Sequence, residues 1–438
     1  MTVPSGRPDA HRAIEAVWRI ESARLIAGLV RLVRDIGLAE ELAQDALVAA
    51  LEKWPESGVP DNPGAWLMAT AKHRAIDFLR RNERLARKID VLGHELETAG
   101  HGEAADVEAV LDGDIEDDLL RLVFTACHPV LSTEARVALT LRLLGGLKTE
   151  EIARAFLVAE PTVAQRIVRA KKTLAEAHVP FEVPEGSELA DRLSSVLEVI
   201  YLVFNEGYSA TTGDDLMRPA LCEEALRLGR VLAALMPKEP EAHGLVALME
   251  IQASRSAART GPAGEPVLLL EQDRSRWDLL LIRRGFAALE RAAVLGGPPG
   301  PYALQAAIAA SHARALTPQE TDWKSIAGLY EALAARAPSP VVELNRAVAL
   351  AMAHGPAAGL ELVDTLTSEP SLAGYHLLPT VRGDLLARLG RFAEAQREFT
   401  RAASLTRNAR ERTLLEQRAA DCARGTAGDG ERPVSCPR

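Results

Sequence analysis

Between Asp90 and Asp118 the chain carries eleven acidic residues and not one lysine or arginine, with glycines at 93, 100, 102 and 113. Such a segment repels itself and offers little apolar surface to offset the entropy lost on ordering, so it reads as an extended linker. A boundary between domains is expected there, and the 438 residues leave room for about three domains at roughly 150 residues each.

Both flanks read as helix. Leu25, Leu29, Leu32, Val33 and Ile36 recur at three- and four-residue steps, the period of one helix face. Gly37 is expected to break this helix. A second is expected from Ala39 to Trp54 and a third from Ala65 to Lys88, separated by the turn-rich Pro55 to Gly64. Together they define a helical domain over 12–89, with the linker over 90–118. Periodicity resumes near Leu119 and continues to Ala177, a second small domain over 119–178. Beyond a hinge from Pro180 to Gly186, residues 187–424 are rich in Ala, Leu and Arg, with interruptions at Gly261-Pro262, Gly296 to Pro301 and Pro338 to Pro340. These suit helical hairpins. Leu389-Gly390-Arg391-Phe392-Ala393-Glu394-Ala395, followed by Phe399 and Ala402, resembles a tetratricopeptide repeat. With aromatics at only 4%, the fold class expected is all-α.

Lys plus Arg total 51 against 61 Asp plus Glu, a net charge of −10. Taken as an average, this opposes a nucleic-acid partner. The average conceals two basic stretches. From Lys72 to Lys88 stand seven Lys or Arg and two acids. His73, Asp77, Arg80, Arg81, Arg84, Arg87 and Lys88 share one arc of about 120°, opposite Leu67, Ala71, Ala75 and Phe78. The second holds Arg166, Arg169, Lys171 and Lys172, with no acid from Pro161 to Ala175. It closes a stretch from Lys148 that reads as helix-turn-helix: Glu150 and Glu151 suit a helix start, Ala153 a close crossing and Pro161 a first turn. On the second helix Val163, Ile167, Ala170 and Leu174 form the seam, while Pro161, Thr162, Gln165, Arg169 and Lys172 face away.

In this order the parts resemble an RNA polymerase sigma factor of the extracytoplasmic-function (ECF) type, over about residues 12 to 178. Glu40-Glu41-Leu42-Ala43-Gln44-Asp45-Ala46-Leu47 resembles region 2.2, which implies docking on the beta-prime clamp helices through Glu41, Gln44 and Asp45. Trp66-Leu67 through Ala75-Ile76-Asp77-Phe78-Leu79-Arg80-Arg81 resembles regions 2.3 and 2.4, which open and read the minus-10 element. The resemblance implies that Asp61, Asn62, Trp66, Lys72, His73, Arg74, Asp77, Arg80, Arg81 and Arg84 meet that element. The helix-turn-helix resembles region 4.2, implying minus-35 contacts from Pro161, Thr162, Gln165, Arg166, Arg169, Lys171 and Lys172. It also implies the beta flap as a partner. Turn formation accounts equally for Asp61 and Asn62, and core packing for Trp66. The sequence departs from the family at Leu157 for a turn glycine, at Ala159 for a serine cap and at Ala164 for a basic residue. Phosphate contacts are therefore better supported than base contacts. In the family the linker threads a basic path in the polymerase; eleven acids either mimic the nucleic acid there or form a solvated tether.

The remainder resembles the long helical extension of one ECF branch, with counterparts to Tyr201 through Thr211. Within it, Asn205, Glu206 and Tyr208 serve either a pocket or partner groove that binds a regulatory protein or ligand, or local capping. The four histidines of this half have no metal-ligand spacing, and no phosphate loop or nucleophile motif is present. No metal, no cofactor and no catalysis is expected. The cysteines at 127, 222, 422 and 436 have neither disulfide-framework nor zinc spacing. The start lacks a signal-peptide core and no apolar run reaches about 18 residues, so a cytoplasmic protein without membrane insertion is expected. A one-component helix-turn-helix regulator with a sensing domain is the rival reading; it leaves Glu41, Gln44, Asp45 and Trp66 to Arg81 without a role.

Overall fold

The computed structural model describes residues 6–93, 115–156, 158–209, 217–261 and 265–425, the side chains at 6–10, 83–93 and 115–116 excepted. Among the described residues the fold is all-α, and the one pairing of extended backbone is an isolated bridge between Thr260 and Pro266. The chain forms two compact units, 1–200 and 201–438.

In the first unit α1 (Gly6–Val33), α2 (Ile36–Ser57) and α3 (Pro63–Gly93) pack on one another. Leu25, Leu29, Leu42, Ala46, Leu67, Ala71 and Ala75 are buried, as their period requires. The break between α1 and α2 is not at Gly37. It falls at Arg34, whose φ is +53°, and Asp35, whose side chain accepts from the Leu38 amide at 2.8 Å. That cap satisfies an otherwise orphaned donor, and Gly37 becomes an ordinary first-turn residue. Asn62 caps α3 likewise, accepting from the Ala65 amide at 3.0 Å. Pro63 opens that helix.

Next come α4 (Ile115–Ala126), α5 (Thr133–Leu143), α6 (Thr149–Phe156) and α7 (Glu160–Glu176). The acid-rich segment expected as linker lies outside the described residues over 94–114, but its end is structured. α4 begins within it and packs on α1. Asp118 is 1% exposed, with Arg31 Nε at 3.2 Å and Arg121 Nη1 at 2.9 Å. A partner 87 positions upstream turns a solvated acid into a buried one.

The border between the units falls at Ile200, inside α8 (Gly186–Tyr208), and not at the expected hinge from Pro180 to Gly186. The first turns of α8 belong to the upstream body. Ser195 Oγ donates to the Cys127 carbonyl at 2.6 Å and Arg192 Nη2 to the Phe124 carbonyl at 3.2 Å.

The second unit continues with α9 (Pro219–Leu235), α10 (Pro240–Ala253), α11 (Leu279–Val294), α12 (Pro301–Arg314), α13 (Trp323–Arg336), α14 (Pro340–His354), α15 (Pro356–Leu366), α16 (Leu377–Arg388), α17 (Phe392–Leu405) and α18 (Ala409–Ala423). From α12 onward each helix packs on the next. The segment around Gly390 is a helical hairpin: Gly390, at φ +76°, makes the turn, and Ala395, Phe399 and Ala402 are buried. Gly207 meets a different demand. A Cβ there would stand 2.5 Å from the Cys222 backbone nitrogen, so only glycine lets α8 and α9 approach this closely.

Candidate nucleic-acid interface

The helix-turn-helix forms as its letters require. On α7 the buried side chains are Val163, Ile167, Ala170 and Leu174, and the seam packs on α5 and α6. Pro161, Thr162, Gln165, Arg169 and Lys172 are exposed and Arg166 is half-buried. Ala159 precedes the helix without a side-chain cap bond, as expected where serine is absent. Leu157 lies outside the described residues.

On α3, His73, Asp77, Arg80 and Arg81 are exposed, and Lys72 and Arg74 half-buried, opposite the buried Leu67, Ala71 and Ala75. The Arg84 side chain lies outside the described residues. Asp61 is exposed and Asn62 is engaged as a cap. Trp66 is half-buried, edge-on to the buried Trp54 at 5.3 Å between ring centroids. Lys53 Nζ lies 5.9 Å from its centroid.

The polar side of α2 is only partly free. Glu41 is exposed, whereas Asp45 pairs with Arg74 Nη1 at 3.0 Å and Gln44 Nε2 donates to Glu40 Oε1 at 2.9 Å. Glu40 is the residue that sequence reasoning passed over. It is 5% exposed and joins the two helical bundles of the first unit: Arg142 Nε of α5 reaches Oε1 at 2.6 Å, and Lys171 Nζ of α7 bonds Oε2. Burial pushes its pKa up, but the charges and hydrogen bonds of Lys171 and Arg142 outweigh that and hold it below the ordinary carboxylate range. Lys171 is thus held against α2, apart from the exposed face of Gln165, Arg169 and Lys172. The one signal in the sequence is position: Glu40 stands beside Ala39, Ala43, Ala46 and Ala50 on the apolar side of α2.

Of the C-terminal trio, Asn205 and Tyr208 line a cavity, whereas Glu206 is ion-paired with Arg218. Among the described residues, no cluster of three or more His, Cys, Asp or Glu side chains could hold a metal ion, and no helix is long and apolar enough to cross a membrane.

Residues 20–85 match Sigma-70 region 2, residues 121–174 match Sigma-70, region 4, and residues 192–293 match a family of unknown function, DUF6596. An uncharacterized protein of Rhizobium meliloti, R00370, is 44% identical over 89% of this chain and 91% of its own length. A probable ECF RNA polymerase sigma factor, SigI, from two strains of Mycobacterium tuberculosis is 28% identical over 40% of this chain and 58% of its own length. Region 2 falls on α1 to α3 and region 4 on α4 to α7, the two elements built above around exposed basic faces. The chain belongs to the ECF-type sigma factors of the sigma-70 family, DNA-binding transcription initiation factors with a helix-turn-helix, and carries a C-terminal extension.

Proposed function

We propose that this protein directs core RNA polymerase to promoters whose minus-10 element meets α3 and whose minus-35 element meets α7. The observation that carries the reading is the pairing of an exposed polar and basic face with a buried apolar seam on both helices. Lys72, His73, Arg74, Asp77, Arg80, Arg81 and Arg84, with Asp61, Asn62 and Trp66, serve the upstream edge of the melted region. Pro161, Thr162, Gln165, Arg166, Arg169, Lys171 and Lys172 serve the minus-35 groove. Positive charge there supplies phosphate affinity, and the amide and hydroxyl groups supply base contacts.

Glu41, Gln44 and Asp45 face the beta-prime clamp, and the region 4 domain the beta flap. Lys171 can reach DNA only after leaving Glu40, so promoter engagement releases the α2 to α7 contact. The C-terminal extension regulates this cycle by binding a ligand or protein, and the factor acts in the cytoplasm without catalysis of its own.

Run-off transcription with purified core polymerase tests the reading. New promoter-specific starts are expected, lost on charge reversal at Arg80 and Arg81. Promoter binding by the chain alone, with no polymerase-dependent starts, would instead indicate a one-component regulator. Truncation after Ile200 tests the extension: unchanged transcription and unchanged response to inducing conditions would remove its regulatory role.

A further inference from the structure

The cavity of the second unit has a volume of about 400 Å³, within the range of small-molecule sites. Its walls come from the end of α8 and from α10, α12, α13, α14, α16 and α18. One side is aromatic: Tyr201, Phe204, Tyr208 and Tyr330. Tyr208 is fixed there. Phe204 stacks on it at 5.5 Å between centroids, and the Arg259 guanidinium lies 3.6 Å from its ring centroid.

The charge on this wall is uneven. Arg255 Nη2 donates to Tyr208 Oη at 2.7 Å and also bonds Gln252 Oε1, both neutral acceptors. Among the described residues it pairs with no carboxylate; Glu411, also in the lining, lies 3.2 Å from His376 Nε2. The Arg255 guanidinium is therefore held by neutral acceptors alone. Buried polar residues complete the lining: His312, Gln272 and Asn345 are 4%, 7% and 7% exposed, and their His312 Nδ1, Gln272 Oε1 and Asn345 Oδ1 atoms have no hydrogen-bond partner among the described residues. An amide oxygen accepts only, so two of the three call for a donor. Burial, with Arg255 and Arg274 nearby, pushes the His312 pKa down to about 3. The ring is neutral at physiological pH, and the surroundings disfavour a further cation.

We propose that this cavity is a binding site for a small aromatic carboxylate bearing a hydroxyl group. The carboxylate takes the Arg255 guanidinium, the ring lies along Tyr201, Phe204 and Tyr208, and the hydroxyl donates to Asn345 or Gln272. A carboxylate supplies the anion that Arg255, held only by neutral acceptors, lacks. A cationic ligand would meet Arg255 and Arg259, and a wholly apolar one would leave the amide oxygens unpaired.

The test uses the full chain and three probes: 4-hydroxycinnamate, its neutral amide, and cinnamate without the hydroxyl, by titration calorimetry and thermal shift. The hydroxylated acid should bind and raise the unfolding temperature. The amide should bind roughly tenfold or more weakly, because a charge-assisted contact is lost, and cinnamate about fivefold more weakly. Arg255→Gln should bring acid and amide to the same affinity, and Arg255→Lys should keep part of the preference. The proposal is overturned if millimolar 4-hydroxycinnamate neither binds nor stabilises, or if acid and amide bind the unmodified chain equally. An acid preference that survives Arg255→Gln would also overturn it. The probe comparison on the unmodified chain stands even if the glutamine variant fails to fold.

Discussion

Glu40→Gln keeps the shape of the side chain and removes the charge that Arg142 and Lys171 share. Breaking a buried pair from one side costs about 3–5 kcal/mol when the stranded charge stays dry. Here the stranded side chains are 23% and 22% exposed, so water takes up part of the loss, and about 2–3 kcal/mol is expected. For a body of some 200 residues this lowers the unfolding temperature by roughly 5–10 °C. Calorimetry of the full chain, read on the transition of the first unit, gives the value, and a cycle with Lys171→Met isolates the pair. Coupling of about 1–2 kcal/mol is expected. The pH dependence has a definite sign. The folded pKa of Glu40 is lowered, so the unfolded chain binds more protons and the contribution is full above the ordinary carboxylate range. It fades as pH falls through the depressed value, so the difference between variant and parent should shrink between about pH 5 and pH 3. Additive single effects, or a difference that grows with acid, would refute the assignment of Glu40 as the shared anion.

Arg142→Gln loosens the same contact without touching either basic face. It should raise run-off transcription several-fold at limiting factor if release of α7 from α2 precedes engagement; a fall or no change would count against it. Lys172→Ala removes one exposed cation of α7, and polymerase-dependent promoter binding should lose about one unit of salt slope with little change in sequence preference. Gly207→Ala forces a methyl group against the Cys222 backbone nitrogen; a loss of about 1–3 kcal/mol is expected in denaturant unfolding of the second unit. Burial pushes the Cys127 and Cys222 thiols up to about 11 and about 12. Both should resist iodoacetamide at pH 8 in the native chain and react on unfolding.

Much of the fold was legible because its determinants are local. The α7 seam of Val163, Ile167, Ala170 and Leu174 follows from period alone, and Pro161 marks the helix start without reference to anything distant. What escaped the sequence is long-range or idiosyncratic. Glu40 meets partners 102 and 131 positions away, and Asp118 meets Arg31, so neither acid's partner can be read from its neighbours. The α1 to α2 break sits at Arg34 because Asp35 caps the next helix, an arrangement that a glycine at 37 outcompetes on propensity. In the extension, Asn205 and Tyr208 were visible as a motif. Their purpose was not, because the cavity they line is completed by residues as far along the chain as Arg418.

That cavity alters the mechanics of the helices around it. A stack in which each helix packs on the next behaves as a one-dimensional lattice, with stability summed from nearest-neighbour terms and unfolding free to begin at either end. Clusters built on Ala247 to Ala310, on Leu304 to Ala349 and on Leu344 to Cys422 follow that pattern. Around the cavity, helices that are not neighbours in sequence face one volume, from Tyr201 of α8 to Arg418 of α18. Occupancy of that volume adds terms between non-adjacent members of the lattice, so its thermodynamic signature is sharper unfolding as well as a higher midpoint: the extension would melt as one body instead of fraying helix by helix.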